Sequence, residues 1–277
     1  MTRLILLPCL LLLAFAACDR DDPSTPVAPA GGDVAAVSPA PAAPALEDVV
    51  ETTPRYIIGI TYPGNASRYP ALAAELQAYA TAARKELMTA VEGLGEDRPT
   101  APYDLSLSFT ELMDTPQVYA VAVDGTSYTG GAHGAPLVAR FVWLPARGEM
   151  LTAERLLTGP DGWAAISAFV REQLQTALSQ RIDANGIAPE DRVELFRTGS
   201  GMISAGTEPK PAMFAQFEPI AGEGGRLSGL RFVFPPYQVG PYSDGTQTVE
   251  VPAAILLPYV APAYRGLFQV EAPAATG

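Results

Sequence analysis

Val118-Tyr119-Ala120-Val121-Ala122-Val123 is an unbroken apolar run closed by Asp124-Gly125. A strand with one wet face alternates apolar and polar residues, whereas a strand covered on both faces reads as a continuous run. The stretch is therefore expected to be a central strand, with Asp124-Gly125 turning the chain behind it. Upstream, Tyr103, Leu105, Leu107 and Phe109 alternate with Asp104, Ser106 and Ser108, the pattern of a half-buried strand. Downstream, Leu137 to Leu144 reads as a third strand, with Leu137, Ala139, Phe141 and Trp143 on one face.

Further out, the β-branched and aromatic run Arg55 to Tyr62 predicts another strand, broken by Pro63-Gly64-Asn65. Leu72, Leu76, Tyr79, Ala83, Leu87 and Val91 then recur at three- and four-residue steps, an amphipathic helix ended by Gly93 and Gly95. A second long helix is expected to be capped by Asp161, with Trp163, Ile166, Phe169, Val170, Leu174, Ala177 and Leu178 as its buried stripe. After a Gly- and Pro-rich stretch come strands at Met213 to Ile220, Leu227 to Phe234 and Thr246 to Val251, then a short helix at Ala253 to Leu257. Strands, a helix and strands again, without regular βαβ alternation, indicate an α+β fold. We expect a largely antiparallel sheet packed with two long helices, in two sub-domains sharing the fold.

The first residues carry a different message. Arg3 precedes the apolar run Leu4 to Ala14, too short to span a bilayer, and small residues follow it. Phe15-Ala16-Ala17-Cys18 resembles a bacterial lipobox, with Phe15 where Leu is usual. Residues 1–17 are thus expected to be a lipoprotein signal peptide and Cys18 the lipidation site. Several acyl chains, at about 0.8 kcal/mol per buried methylene, anchor stably where one does not. Residues 18–50, rich in Pro and Ala, are expected to form a disordered tether. Residues 51–145 and 146–268 are the two expected sub-domains, and residues 269–277 a flexible tail. Localisation follows: the cell envelope, lipid-anchored and facing the periplasm or the exterior.

The formal net charge of -12 argues against nucleic acid, which needs basic patches to neutralise phosphates. The same charge repels anionic headgroups, so membrane attachment is assigned to the acyl chains on Cys18, while a basic protein would be attracted. Cys9 falls inside the signal, which leaves Cys18 alone and no disulfide framework.

Two segments are distinctive together. One is Tyr128-Thr129-Gly130-Gly131-Ala132-His133-Gly134; the other runs from Phe232-Val233-Phe234-Pro235-Pro236 through Tyr237-Gln238-Val239-Gly240-Pro241-Tyr242. Their order, with a helix between, resembles the paired extracytoplasmic domains DUF4163 and DUF3298 of RsiV-type anti-sigma factors, over about Tyr56 to Tyr259. By this resemblance residues 51–145 would be DUF4163-like and residues 146–268 DUF3298-like. The resemblance implies binding rather than chemistry, because the RsiV-type domain is a lysozyme receptor. The residues read here contain no sigma-binding segment and no transmembrane helix, so capture of a lysozyme-type protein or of peptidoglycan is expected without signalling to a sigma factor.

The residues themselves agree with a non-enzyme. His133 is the only histidine, and no nucleophile elbow, second histidine, phosphate loop or dinucleotide fingerprint accompanies it. No catalytic residue, metal or cofactor is assigned. Gly130 and Gly131 are expected to supply positive φ, leaving His133 to anchor its loop or to titrate functionally. Pro236 and Pro241 pre-shape the second loop, while Tyr237 and Tyr242 offer large amphipathic rings, either for a partner or as packing beneath the loop. The expected partner-binding set is Tyr128, Gly130, Gly131, His133, Pro236, Tyr237, Pro241 and Tyr242. Asp104, Glu111, Asp114 and Asp124 lie in or near strands, and any acid–base pairing among them depends on a separation in space.

Overall fold

The computed structural model describes residues 45–269. The expected signal peptide, Cys18, the tether up to residue 44 and the tail from residue 270 lie outside the described residues. Val49 and Val50, placed in the tether from composition, already belong to strand β1 (Val49–Thr52), which is antiparallel to β2 (Tyr56–Thr61).

Helix α1 (Pro70–Gly93) follows β2 and leads into β3 (Tyr103–Asp114), which pairs with β2 in parallel. Pro70 sits in the first turn, where its missing N–H costs nothing. Of the expected stripe, Leu72, Leu76, Ala83, Leu87 and Val91 are buried, joined by Ala73 and Ala80, while Tyr79 is half-buried. β4 (Tyr119–Tyr128) and β5 (Ala135–Leu144) continue antiparallel, and the two-residue β6 (Glu149–Met150) completes a six-stranded sheet in the order β1-β2-β3-β4-β5-β6.

The apolar run in β4 is covered on both faces. Tyr119, Val121 and Val123 join the core under α1, together with Leu105, Leu107 and Phe109. Val118 and Ala120 point the other way, into a second core built with the C-terminal half of the chain. Asp124-Gly125 does not turn the chain. Gly125 is paired with Leu107 and Leu137 inside the sheet, and a Cβ on it would lie 2.0 Å from the Ser106 carbonyl oxygen, so glycine is needed for close approach rather than for a bend. The reversal comes after Tyr128.

Beyond the short α2 (Ala153–Leu156), helix α3 (Gly159–Ala184) begins with Thr158 as its flanking residue, and Asp161 lies in its first turn. There it faces the positive end of the helix dipole instead of capping it. Trp163, Ile166, Val170, Leu174 and Leu178 are buried as expected, whereas Phe169 is half-buried and Ala177 exposed. Within the stretch read only as Gly- and Pro-rich, with no element assigned to it, lies helix α4 (Pro189–Gly206). Residues 211–214 form a 3-10 turn, so the strand expected from Met213 begins only at Phe217. β7 (Phe217–Ala221), β8 (Leu227–Phe234) and β9 (Gln247–Pro252) make a separate three-stranded antiparallel sheet, followed by α5 (Ala253–Leu256). The architecture is α+β with two sheets, antiparallel except for the β2–β3 pair. No helix among the described residues is long and apolar enough to cross a membrane.

Candidate functional site

The β4–β5 connection carries the first aromatic-glycine segment and the β8–β9 connection carries the second. At the end of β4, the Tyr128 hydroxyl donates to the Gly131 carbonyl at 3.2 Å, closing the tip. Gly130 and Gly131 have φ of 101° and 99°, a region that L side chains rarely adopt, and so swing the chain round to His133.

In the second segment the Gln238 N–H donates to the Pro235 carbonyl at 3.1 Å. Pro236 and Tyr237 are therefore the two central residues of a β-turn, with proline preset at the first. The other central position calls for positive φ and usually holds glycine; here Tyr237 takes it, at φ 74°. No other non-glycine residue among those described has positive φ. Forcing a bulky residue there costs about 1–3 kcal/mol, and such strain gathers at functional sites. The Gln238 side chain secures the turn from below by donating to the Gly206 and Met213 carbonyls at 2.9 and 2.8 Å. Pro241 then leads into a 3-10 turn over Tyr242–Asp244.

These two loops meet. Tyr237 Oη lies 3.1 Å from His133 Nε2, across 104 residues of chain. The His133 ring stacks on Tyr242 with centroids 4.0 Å apart and planes inclined by 15°. Tyr237 and Tyr242 are 5.6 Å apart, which closes a three-ring cluster. His133 Nδ1 is 3.1 Å from the Gly134 carbonyl. One neutral tautomer satisfies both contacts: Nδ1–H donates to that carbonyl while Nε2 accepts from the Tyr237 hydroxyl. Tyr237 is 53% exposed, so its ring rides on the surface instead of packing beneath the loop. Tyr242 is half-buried.

Seven of the eight expected partner-binding residues thus form, flank or shape one surface: Gly130, Gly131 and His133 from one loop; Pro236, Tyr237, Pro241 and Tyr242 from the other. Tyr128 bonds within its own loop tip. Two residues absent from the sequence reading hold the site from behind. Arg181 on α3 donates from Nη2 to Asp244 Oδ2 at 2.9 Å, two residues beyond Tyr242. Their separation in the chain left no local pattern to find. The strand carboxylates do not converge there. Glu111 accepts from the Tyr119 hydroxyl, whose pKa is pushed up by burial and by that carboxylate. Asp114 pairs with Arg68, and Asp124 with Arg140. Among the described residues no three His, Cys, Asp or Glu side chains gather as a metal site would need.

Residues 226–254, which span β8, the Tyr237–Tyr242 loop and β9, match the model of DUF3298, described as a protein of unknown function. The chain is similar to DUF3298 over this segment. The exposed ring of Tyr237 and the stacked ring of Tyr242 lie inside it, whereas His133 lies outside. Among solved structures, a member of the DUF3298 family from Bacteroides fragilis shares 16% identity over 80% of this chain and 94% of its own, with a TM-score of 0.50. A DUF3298 family protein from Pseudomonas aeruginosa shares 13% identity over 81% and 96%, with a TM-score of 0.49. The first likeness shows a common fold for the α+β body. Comparison with curated proteins gave no match.

Proposed function

We propose that this chain is a non-enzymatic binding lipoprotein of the cell envelope, which captures a lysozyme-like or other cationic envelope protein on the His133–Tyr237–Tyr242 surface. The observation that carries the reading is the strained, exposed Tyr237, held against His133 from a loop 104 residues away. Rigid, pre-shaped aromatic side chains lose little entropy on binding and dominate interface energetics. His133 bonds to a tyrosine hydroxyl and a backbone carbonyl, partners that suit an anchored recognition surface better than a proton relay. A formal charge of -12 supports a basic partner by raising its rate of encounter. The resemblance of both loops to the DUF4163–DUF3298 pair of lysozyme receptors points the same way. In this reading Cys18 carries the acyl anchor and the acidic domain stands off the membrane on its tether.

Titration calorimetry of the purified chain against a c-type lysozyme, at low and physiological salt, tests the capture. Salt-sensitive binding should weaken at least about tenfold when Tyr237 and Tyr242 both become Ala. No heat at either salt would overturn it; if the chain instead sediments with purified sacculi, the exposed rings serve a glycan. The anchor has its own test. Metabolic labelling with an alkyne fatty acid should mark the wild-type chain and not Cys18→Ser.

A further inference from the structure

Helix α4 is the least supported of the long elements. Only Ile203 and Gly206 of its residues are buried. It presses on α3 at Gly199, where a Cβ would meet Leu178 Cδ2 at 2.6 Å. Towards its N-terminus the helix stands clear, and Val193, Leu195 and Phe196 are 75%, 45% and 37% exposed. These are three of the seven large hydrophobic residues exposed among those described, and they are crowded into one turn of helix. Between Val193 and Phe196 on one side and Ile182 of α3 on the other runs an open groove of about 580 Å³. Ser200 lines it, with a buried Oγ that has no hydrogen-bond partner. Val193, Phe196 and Ile182 give this groove its apolar surface, whereas Leu195 lines a separate cavity; exposed apolar surface of this kind marks an interaction site.

We propose that the groove receives α4 of a second copy of this chain, antiparallel, in a two-fold symmetric dimer. The pattern of the helix singles out that occupant. Val193, Phe196 and Ser200 follow the a, d, a spacing of a coiled-coil seam. Glu190 and Arg197 occupy the flanking position one heptad apart, with opposite charge. A two-fold axis near residues 194 and 195 lays Val193 on Phe196 of the partner subunit. The same axis sets Glu190 beside Arg197 of the partner subunit, and symmetry makes each contact twice. Arg192 is already committed to its own hairpin, donating to the Ile187 carbonyl and pairing with Asp183. Arg197 is free to change partners, because its contact with Glu194 joins side chains 71% and 65% exposed and is worth little.

Two chains of formal charge -12 repel each other, so copies associate only where charges balance locally, as Glu190 and Arg197 do. The groove carries both signs, Arg192 paired with Asp183 and Arg197 with Glu194, which a helix of the same mixed charge complements. A helix rises 1.5 Å per residue, so residues 189–200 give a contact roughly 18 Å long, a small interface with affinity on the order of micromolar.

Sedimentation equilibrium of the purified chain over a concentration series tests the proposal. A monomer–dimer equilibrium is expected, shifted at least tenfold towards monomer by Arg197→Glu and restored by Glu190→Arg together with Arg197→Glu. Val193→Glu should abolish the dimer; at concentrations where the wild type is monomeric its exposed position leaves the melting curve unchanged, while Tyr237→Ala leaves the dimer intact. Monomeric mass at every concentration overturns the proposal. So does a dimer indifferent to Val193→Glu, or one that the double reversal fails to restore.

Discussion

Arg140 of β5 donates from Nε to Glu218 of β7 at 2.7 Å, joining the two sheets through side chains only 6% and 11% exposed. The pair belongs to a longer chain of charges. Arg140 also bonds to Asp124 and to the carbonyls of Val123 and Ala139, and its backbone N–H donates to Gln216. Glu218 faces Arg231 across the strand pair, and Arg231 faces Glu250. Removing one member of a buried pair strands the other. Glu218→Gln should therefore cost about 3 kcal/mol in urea unfolding, while Arg140→Met combined with Glu218→Leu recovers most of the loss. A single variant as stable as wild type would show that the sheets are held together by apolar contact alone.

Strain at Tyr237 sets stability against recognition. Glycine adopts φ 74° freely, so Tyr237→Gly should raise the urea midpoint by about 1 kcal/mol equivalent, or hold it level once the lost hydroxyl contact is counted. The same variant should lose affinity for the captured partner. Falling stability would mean that the ring contributes more than the turn costs.

Gly206 on α4 lies against the aromatic loop: a Cβ there would sit 1.9 Å from the Gln238 carbonyl oxygen. Gly206→Ala must push that backbone away, at roughly 1–3 kcal/mol. Because His133 is the only histidine, its ring protons give isolated NMR signals shifted by the stacked Tyr242. Those signals should move towards free-histidine positions in Gly206→Ala. An unchanged spectrum would uncouple α4 from the site.

Asp104, paired with Tyr128 in the β3–β4 register, has its pKa raised by burial. The folded chain therefore holds this proton more tightly than the unfolded chain does. Stability must fall as pH rises from the ordinary carboxylate range through the raised value, and the penalty persists above it. Asp104→Asn removes the penalty. Its urea midpoint should exceed wild type at neutral pH and converge with it in acid; a constant difference across pH would contradict the assignment.

Much of the architecture is readable along the chain. The run Val118 to Val123 announces a strand covered on both faces, and the spacing of Leu72 to Val91 announces the face of α1 that meets the sheet. Both readings rest on side-chain direction repeating every two residues in a strand and every 3.6 in a helix. Where this logic failed, the residues had two uses. Gly199, Gly201 and Gly206 look like loop residues by propensity, yet Gly199 and Gly206 lie where α4 touches Leu178 and Gln238. Gly125 looks like a turn and is a close approach within the sheet.

Both aromatic loops could be named from the sequence, together with the types of residue that recognise a partner. Local periodicity determined the elements and their buried faces, because those depend on bonds between near neighbours. Only the tertiary structure decided that His133 meets Tyr237, that Arg181 braces Asp244, and that the C-terminal strands form a sheet of their own. Such contacts depend on which faces fit one another after distant segments close, and no spacing along the chain records that fit.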